Sequence, residues 1–153
     1  MRVYRIASKA FIYDLSGRGA MVFGGRWNKK GLSMLYTSQS VSLAALEMLA
    51  NLSLNKFKKD LYYAEIEFSD SFPISEVKDL PDQWNAFPHK SSTVRIGSDF
   101  LTEDGFCLKV PSAIVPLEHN YLLNPAHNHF KTVKVIDAMP FIIDNRLTAI
   151  KNL

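Results

Sequence analysis

Residues 41–54 read Val41-Ser42-Leu43-Ala44-Ala45-Leu46-Glu47-Met48-Leu49-Ala50-Asn51-Leu52-Ser53-Leu54, and Glu47 is the only charge among them. Apolar residues cover nearly every face of a helix of this length, so we expect an α-helix that is largely buried. Ser38 or Ser40 stands where an N-cap is needed. The sequence therefore predicts a buried helix over residues 41–54.

Glu47 is the anomaly in this helix. A carboxylate on a buried helix is costly unless it is paired, hydrogen-bonded or protonated. One interpretation is a structural ion pair with an arginine such as Arg5 or Arg26, because structural pairs also occupy such positions. The other is a carboxylate that stabilises a developing positive charge in a pocket. The residues alone leave both interpretations open.

Strand-like segments surround the helix. Residues 61–68 alternate between apolar and charged side chains, as in a half-buried strand. Further strands are predicted at residues 3–6, 33–37, 106–110, 113–115, 121–123, 133–136 and 141–143. Residues 69–104 read as irregular apart from a short helix near 93–101, and the glycine-rich residues 16–20 and 22–25 as loops. A helical first half followed by a strand-rich second half indicates an α+β fold with a mixed or mainly antiparallel sheet.

Bulk properties limit the class of protein. The 153 residues are 47% hydrophobic and 22% charged, which is typical of one globular domain spanning residues 1–153. A net charge of +3 favours anionic partners but is too small to indicate direct nucleic-acid binding. The lone Cys107 cannot form an internal disulfide. With no signal peptide or membrane span in the sequence, a cytoplasmic protein is expected.

The segment Gly24-Gly25-Arg26-Trp27-Asn28 is the first candidate binding element. Glycines let a backbone approach a ligand, and an arginine can place two N–H groups on phosphate oxygens. It is neither a Walker loop nor the glycine fingerprint of dinucleotide folds. Trp27 and Tyr36 could stack on a flat cationic ring, although single aromatic residues are more often part of a core. Together with Glu47, these residues suit nicotinamide dinucleotide (NAD) as a substrate rather than as a redox carrier.

Serine and histidine offer weaker candidates. The hydroxyl of Ser112 could bond a ribose or an amide, but no nucleophile elbow surrounds it. His119, His127 and His129 do not follow a strong zinc pattern, so no metal is expected.

Taken in order, the motifs amount to a resemblance. The chain is similar to the RES-domain family over residues 3–147, through the motifs Tyr4-Arg5-Ile6, Gly24-Gly25-Arg26-Trp27-Asn28, Leu35-Tyr36-Thr37-Ser38, Ala45-Leu46-Glu47, Val110-Pro111-Ser112-Ala113, Asn120-Tyr121-Leu122-Leu123-Asn124-Pro125 and Asp144-Asn145-Arg146-Leu147. The arginine, glutamate and serine that name the family match Arg26 (with Arg5 a second candidate), Glu47 and Ser112. Residues 97–101 depart from the family, which often carries a tryptophan there.

The resemblance implies a fold similar to that of ADP-ribosyltransferases. It also implies a bacterial toxin of a type II toxin–antitoxin pair that depletes NAD by hydrolysis or phosphorolysis, or that modifies a protein with ADP-ribose. NAD would be the substrate, with no prosthetic group. The partner would be an antitoxin with an Xre-like helix-turn-helix region that blocks the pocket, in an assembly containing a toxin homodimer.

The site roles follow from this resemblance. Glu47 would stabilise an oxocarbenium-like transition state, and Tyr36 would stack on nicotinamide. Arg5 and Arg26 would hold the pyrophosphate, Ser112 would orient the nicotinamide end, and Asn120 or Asn124 would shape the wall. Trp27 and Asn28 are further candidate binding residues. Two rival interpretations stay open: an RNA-acting toxin that uses its histidines as acid and base, and a non-catalytic module that only binds an antitoxin. Nothing in these residues selects water, phosphate or a protein as the acceptor.

Overall fold

In the part of the chain that the structure describes, three α-helices pack around one mixed sheet. The computed structural model describes residues 1–51, 60–69, 71–144 and 146–147. Within them the helices are α1 (Arg18–Phe23), α2 (Val41–Asn51) and α3 (Ser91–Thr102). The strands are β1 (Arg2–Ser8), β2 (Leu35–Ser38), β3 (Leu61–Glu67), β4 (Ile74–Glu76), β5 (Cys107–Pro111), β6 (His119–Leu123) and β7 (Lys134–Pro140). In this part of the chain, no helix has the length and apolarity that a membrane crossing needs.

The strands lie in the order β4-β5-β6-β2-β1-β3-β7. Only β4 and β5 run parallel in this sheet of described strands; the other neighbours are antiparallel. The predicted α+β class with a mixed, mainly antiparallel sheet is confirmed. The register places Ser38 of β2 opposite both Tyr4 of β1 and Asn120 of β6. Residues far apart in sequence therefore meet at one end of the central strands.

Strand β3 shows why these segments become strands. Ala64 and Ile66 are fully buried, while Glu65 and Glu67 remain accessible and lie near Arg2 of the neighbouring strand. The alternation in the sequence thus matches the two faces of the pleat. The predicted strand is confirmed.

Helix α2 begins where the sequence predicts it. The Oγ of Ser40 accepts a hydrogen bond from the backbone N–H of Leu43 at 3.1 Å, so Ser40 is the N-cap. The prediction of burial on nearly every face is wrong: only Leu43 and Ala44 are buried in the described helix, and Leu46 is 40% exposed. The helix packs one side on β1 and β2, and its other sides border solvent and a cleft. Residues 52–54 of the predicted helix lie outside the described residues.

The glycine-rich segments form a helix instead of the predicted loops. Gly17 and Gly24, with φ of 67° and 73°, flank α1 at its two ends. Positive φ is inexpensive for glycine, which is why glycines so often end helices. The glycines therefore delimit a short helix.

Three strand predictions need correction. Residues 113–115 form a bend, because their backbone N–H groups turn onto a serine hydroxyl and cannot join a ladder. Residues 141–143 lie beyond the end of β7 and are irregular. Strand β4 was missed within the segment predicted to be irregular, since three residues carry little periodic signal. The helix predicted near 93–101 is confirmed as α3.

Helix α3 packs very closely on the chain segment 24–28. A Cβ added at Gly97 would lie 1.9 Å from the carbonyl oxygen of Trp27. Beside it, the Oγ of Ser98 accepts a hydrogen bond from the backbone N–H of Lys29 at 3.0 Å. Residues 97–98 thus belong to a packing contact, and the missing tryptophan of the family pattern does not leave a gap there.

We expect Gly97→Ala to lower the free energy of unfolding by about 1–3 kcal/mol or more, because backbone must move to admit the methyl group. Gly19→Ala is the matched control: it also lies in a helix, and nothing is within 4 Å of its added Cβ. Urea unfolding of both variants measures the difference. Equal stability of the two variants would contradict the close packing.

Burial raises the pKa of the Cys107 thiol from 9.0 to about 12. The folded state therefore retains the thiol proton where the unfolded chain loses it, and stability falls as pH rises from about 9 to 12. We expect native protein at pH 8 to resist a thiol-titrating disulfide reagent and to react with it once unfolded. Rapid reaction of the native protein would contradict this burial.

Candidate active site

A cleft with two adjoining lobes opens beside α1 and α2. The first lobe has a volume of about 400 Å³ and the second about 600 Å³, within the range of small-molecule sites. Both lobes are lined by Gly19, Ala20, Tyr36, Glu47, Asn51 and Asn120. The predicted carboxylate and the predicted aromatic residue therefore stand together where the lobes meet.

The first lobe contains charged side chains of both signs. Arg5 of β1 and Arg18 of α1 line it, with Asp14 between them in sequence. The Nη1 of Arg5 donates to the backbone carbonyl of Asp14. Burial lowers the pKa of Arg5, and the Asp14 carboxylate opposes that shift. This lobe offers cations to a phosphorylated ligand.

The second lobe combines apolar and polar walls. Arg26, Asn85, Phe87 and His89 line one part, and Ile114 another. Phe87 is 84% exposed, so its ring is available at the mouth of the lobe. Asn85, Phe87 and His89 were not predicted from the sequence, because they lie in an irregular segment without periodicity or motif.

The carboxylate of Glu47 is held by two side chains from outside its helix. Its Oε1 accepts hydrogen bonds from Ser112 Oγ at 2.8 Å and from Asn120 Nδ2 at 2.6 Å. Among the described residues no protein donor reaches Oε2, and neither Arg5 nor Arg26 forms an ion pair with Glu47. Glu47 is thus positioned by neutral donors, with one oxygen available to the cleft.

The hydroxyl of Ser112 donates to Glu47, and Ser112 does not line either lobe. It is fully buried, and its Oγ also accepts hydrogen bonds from the backbone N–H groups of Ile114 and Val115, both at 3.1 Å. In this structure the residue has no exposed surface, and its direct contact with the nicotinamide end stays a prediction. Its two acceptor bonds direct its single proton to the carboxylate.

Asn120 is oriented in the same way. The Oγ of Ser38 donates to Asn120 Oδ1 at 2.7 Å, so the amide presents Nδ2 to Glu47. Asn120 lines both lobes, as the prediction of a wall residue requires. Ser38 was identified only as a possible helix cap, because its second role depends on strand pairing.

Tyr36 joins the cleft to the segment 24–28. Its hydroxyl donates to Asn28 Oδ1 at 2.8 Å and accepts from the backbone N–H of Trp27 at 3.1 Å. Burial raises the pKa of Tyr36 far above its usual range, so the phenol stays protonated. Gly25 faces this hydroxyl: an added Cβ would lie 2.5 Å from it. Glycine is required here to let the tyrosine approach.

Three predicted binding residues are almost fully buried. Asn28 is 1% exposed and donates through Nδ2 to the carbonyls of Ala20, Lys29 and Leu32. Trp27 is 3% exposed within the apolar cluster under α3, and it also borders the second lobe. The amide of Asn124 is buried and bonded to backbone on both sides. Their polar atoms are already satisfied by protein.

Arg26 makes two contacts that the sequence did not predict. Its Nη1 donates to the backbone carbonyls of Trp84 at 2.7 Å and Ala86 at 2.9 Å. Burial lowers its pKa, while the nearby Glu47 and Tyr36 oppose the shift. Both N–H groups of Nη1 are therefore already bonded to protein and are not free to bind a phosphate.

The sequence model of the RES domain matches residues 2–144. The chain belongs to the RES domain family. The protein named Toxin Res of Yersinia enterocolitica is 36% identical over 151 residues, covering 96% of this chain and 99% of that protein. The Prs ADP-ribosylating toxin of a Sphingobium species is 36% identical over 152 residues, covering 94% of each chain.

The fold of this RES domain also occurs in a solved structure. The crystal structure of the M. tuberculosis MbcT–MbcA toxin–antitoxin complex contains a chain that matches with a TM-score of 0.74 at 16% identity. The match covers 99% of this RES domain and 86% of that chain. It shows that the two chains share a fold.

His89 lines the second lobe together with Glu47, whereas His119, His127 and His129 do not line either lobe. His127 and His129 pack with Phe72 and Phe106, and neither lines the cleft. The backbone of His119 pairs with Gln39: its N–H donates to Gln39 Oε1 at 2.8 Å, and its carbonyl accepts from the backbone N–H of Gln39 at 3.1 Å. In the described ranges, no group of three or more potential ligands could hold a metal ion.

We expect Asn28→Asp to destabilise the RES domain by at least about 2 kcal/mol at neutral pH, because an oxygen would face the three carbonyls that now accept from Nδ2. Asn128→Asp, at an exposed position, is the control. Thermal unfolding at pH 7 measures both variants. A stable Asn28→Asp protein would show that these bonds do not hold the segment 24–28.

Proposed function

We propose that this RES domain is the toxin of a toxin–antitoxin pair and cleaves the bond between nicotinamide and ribose in NAD. The observation that carries the proposal is the Glu47 carboxylate, fixed through Oε1 and open to the cleft through Oε2. Family membership and the names of the relatives, Toxin Res and Prs ADP-ribosylating toxin, support it.

One carboxylate is enough for this reaction. Nicotinamide is cationic in NAD and leaves as a neutral molecule, so the leaving group needs no protonation. Ordinary glycosidases need a second carboxyl group for that step. Glu47 would hydrogen-bond the ribose hydroxyls and stabilise the positive charge that develops on the sugar, which is the electrostatic role of a fixed group in a closed site.

The two lobes suit the two parts of NAD. The pyrophosphate would lie in the first lobe near Arg5 and Arg18, since guanidinium groups bind phosphate oxygens well. The nicotinamide ring would enter the second lobe past the ring of Tyr36. Asn120 would hold Glu47 and form the wall between the lobes. NAD thus enters as a substrate, and the chemistry needs no prosthetic group.

The group that accepts the ADP-ribose decides which of two activities the enzyme has. Water or inorganic phosphate would make the enzyme a hydrolase or a phosphorylase that depletes cytoplasmic NAD. A protein side chain would make it an ADP-ribosyltransferase, and the name of the Sphingobium relative favours this second version.

An antitoxin is the proposed partner. The solved structure with the same fold is titled a toxin–antitoxin complex. We propose an antitoxin with an Xre-like DNA-binding region, bound to a toxin homodimer, as the resemblance implies. Purification of the toxin together with the product of a neighbouring gene, followed by light scattering, tests both parts.

Glu47→Gln tests the proposed chemistry. The amide keeps the shape but loses the charge, so we expect NAD cleavage to fall by about 10²–10³-fold with the fold retained. Purified protein is incubated with NAD, with and without inorganic phosphate, and products are identified by mass spectrometry. Glu103→Gln, at an exposed position, is the matched control and should retain full activity.

The products separate the versions. Free nicotinamide with ADP-ribose indicates water as acceptor, and ADP-ribose-1″-phosphate indicates phosphate. If NAD stays intact, a second incubation with cell lysate and labelled NAD shows whether a protein is modified. Equal turnover by wild type and Glu47→Gln, or no reaction in either assay, would contradict the proposal.

A further inference from the structure

Residues 81–90, here called the rim loop, connect the β4 side of the sheet to α3. Through Asn85, Phe87 and His89 the rim loop forms one wall of the second lobe. The Phe87 ring is 84% exposed there. An aromatic ring and an amide side by side at the mouth of a pocket suit a flat ligand that carries its own amide.

Arg26 holds the rim loop in place. Inside the loop, the backbone N–H groups of Trp84 and Ala86 make only local turns, to Pro81 and Gln83. Within the described chain, residues 81–89 make two hydrogen bonds to residues outside the loop. Arg26 Nη1 donates both of them. These bonds end on the carbonyls of Trp84 and Ala86, the residues on either side of Asn85. The arginine therefore sets where Asn85 and Phe87 stand.

Hydrogen bonds also hold the turn that carries Arg26. Arg26 lies in a tight turn closed by two backbone bonds between Gly25 and Asn28, at 3.0 and 3.4 Å. The amide of Asn28 ties that turn to Ala20 of α1, and the hydroxyl of Tyr36 ties it to β2. The position of the Tyr36 ring is thus linked, through one turn and one guanidinium, to the position of the rim loop.

We infer that Arg26 is a positioning residue, and that Asn85 and Phe87 of the rim loop form the binding surface for the nicotinamide ring. This inference rests on the proposed function and specifies which wall recognises the leaving group. The amide of Asn85 is matched to the carboxamide of the ligand. The face of Phe87 is matched to its cationic ring. Arg5 and Arg18, in the first lobe, would then bind the phosphates.

The test uses two probes that represent the two parts of NAD: 1-methylnicotinamide, which carries the cationic ring, and ADP-ribose, which carries the phosphates. Binding of each is titrated by NMR with wild type, Phe87→Ala and Arg26→Met. We expect both variants to bind 1-methylnicotinamide about tenfold more weakly and ADP-ribose within about twofold of wild type. Arg95→Met, at an exposed position of α3, should change neither affinity.

Amide hydrogen exchange identifies the positioning role. Arg26→Met should speed exchange in residues 84–87, whereas Phe87→Ala should leave the loop anchored and the exchange unchanged. A purely structural defect would speed exchange throughout the sheet as well, and that result would overturn the assignment.

Other outcomes also overturn the inference. If Arg26→Met weakens ADP-ribose and leaves 1-methylnicotinamide unchanged, Arg26 binds phosphate and the inference fails. If wild type cleaves NAD but Phe87→Ala binds 1-methylnicotinamide normally, the inference fails while the proposed function stands. If wild type binds 1-methylnicotinamide in the expected way but never cleaves NAD, the proposed function fails and the ring surface stands.

Discussion

The Glu47 carboxylate depends on two hydrogen bonds that join three parts of the chain. Helix α2 supplies the carboxylate, the turn after β5 supplies Ser112, and β6 supplies Asn120. Each donor is in turn oriented by another contact, through backbone N–H groups for Ser112 and through Ser38 for Asn120. Because neutral donors fix one oxygen, the other can face a developing positive charge without a protein cation competing for it. The pairing of β2 with β6 in the central sheet brings Ser38 next to Asn120, the donor to Glu47.

A second set of contacts controls the opposite side of the cleft. Gly25 admits the hydroxyl of Tyr36, and Asn28 fixes the turn that carries Arg26. Arg26 then anchors the rim loop. Arg26 thus stabilises the shape of the pocket as well as contributing charge, and Asn28 acts on the pocket through the turn that carries this arginine.

Much of this could be predicted from the sequence. The apolar pattern of residues 41–51 gave the helix, the alternation in 61–67 gave the strand, and the lone charge identified Glu47. The sequence could not predict which group forms a hydrogen bond with each polar side chain. Ser112, Asn28 and Asn124 look like ligand contacts by type and order, yet other protein groups occupy their hydrogen-bonding atoms. The rim loop was missed because its position depends on a side chain about 60 residues away.

The most direct test of the central claim is a crystal structure of the Glu47→Gln variant with NAD bound. The account predicts the nicotinamide-bearing ribose carbon beside residue 47, the pyrophosphate in the first lobe near Arg5 and Arg18, and the nicotinamide ring in the second lobe beside Phe87. NAD bound in the reverse direction would contradict the assignment of the lobes. NAD bound away from residue 47 would contradict the role of Glu47 itself.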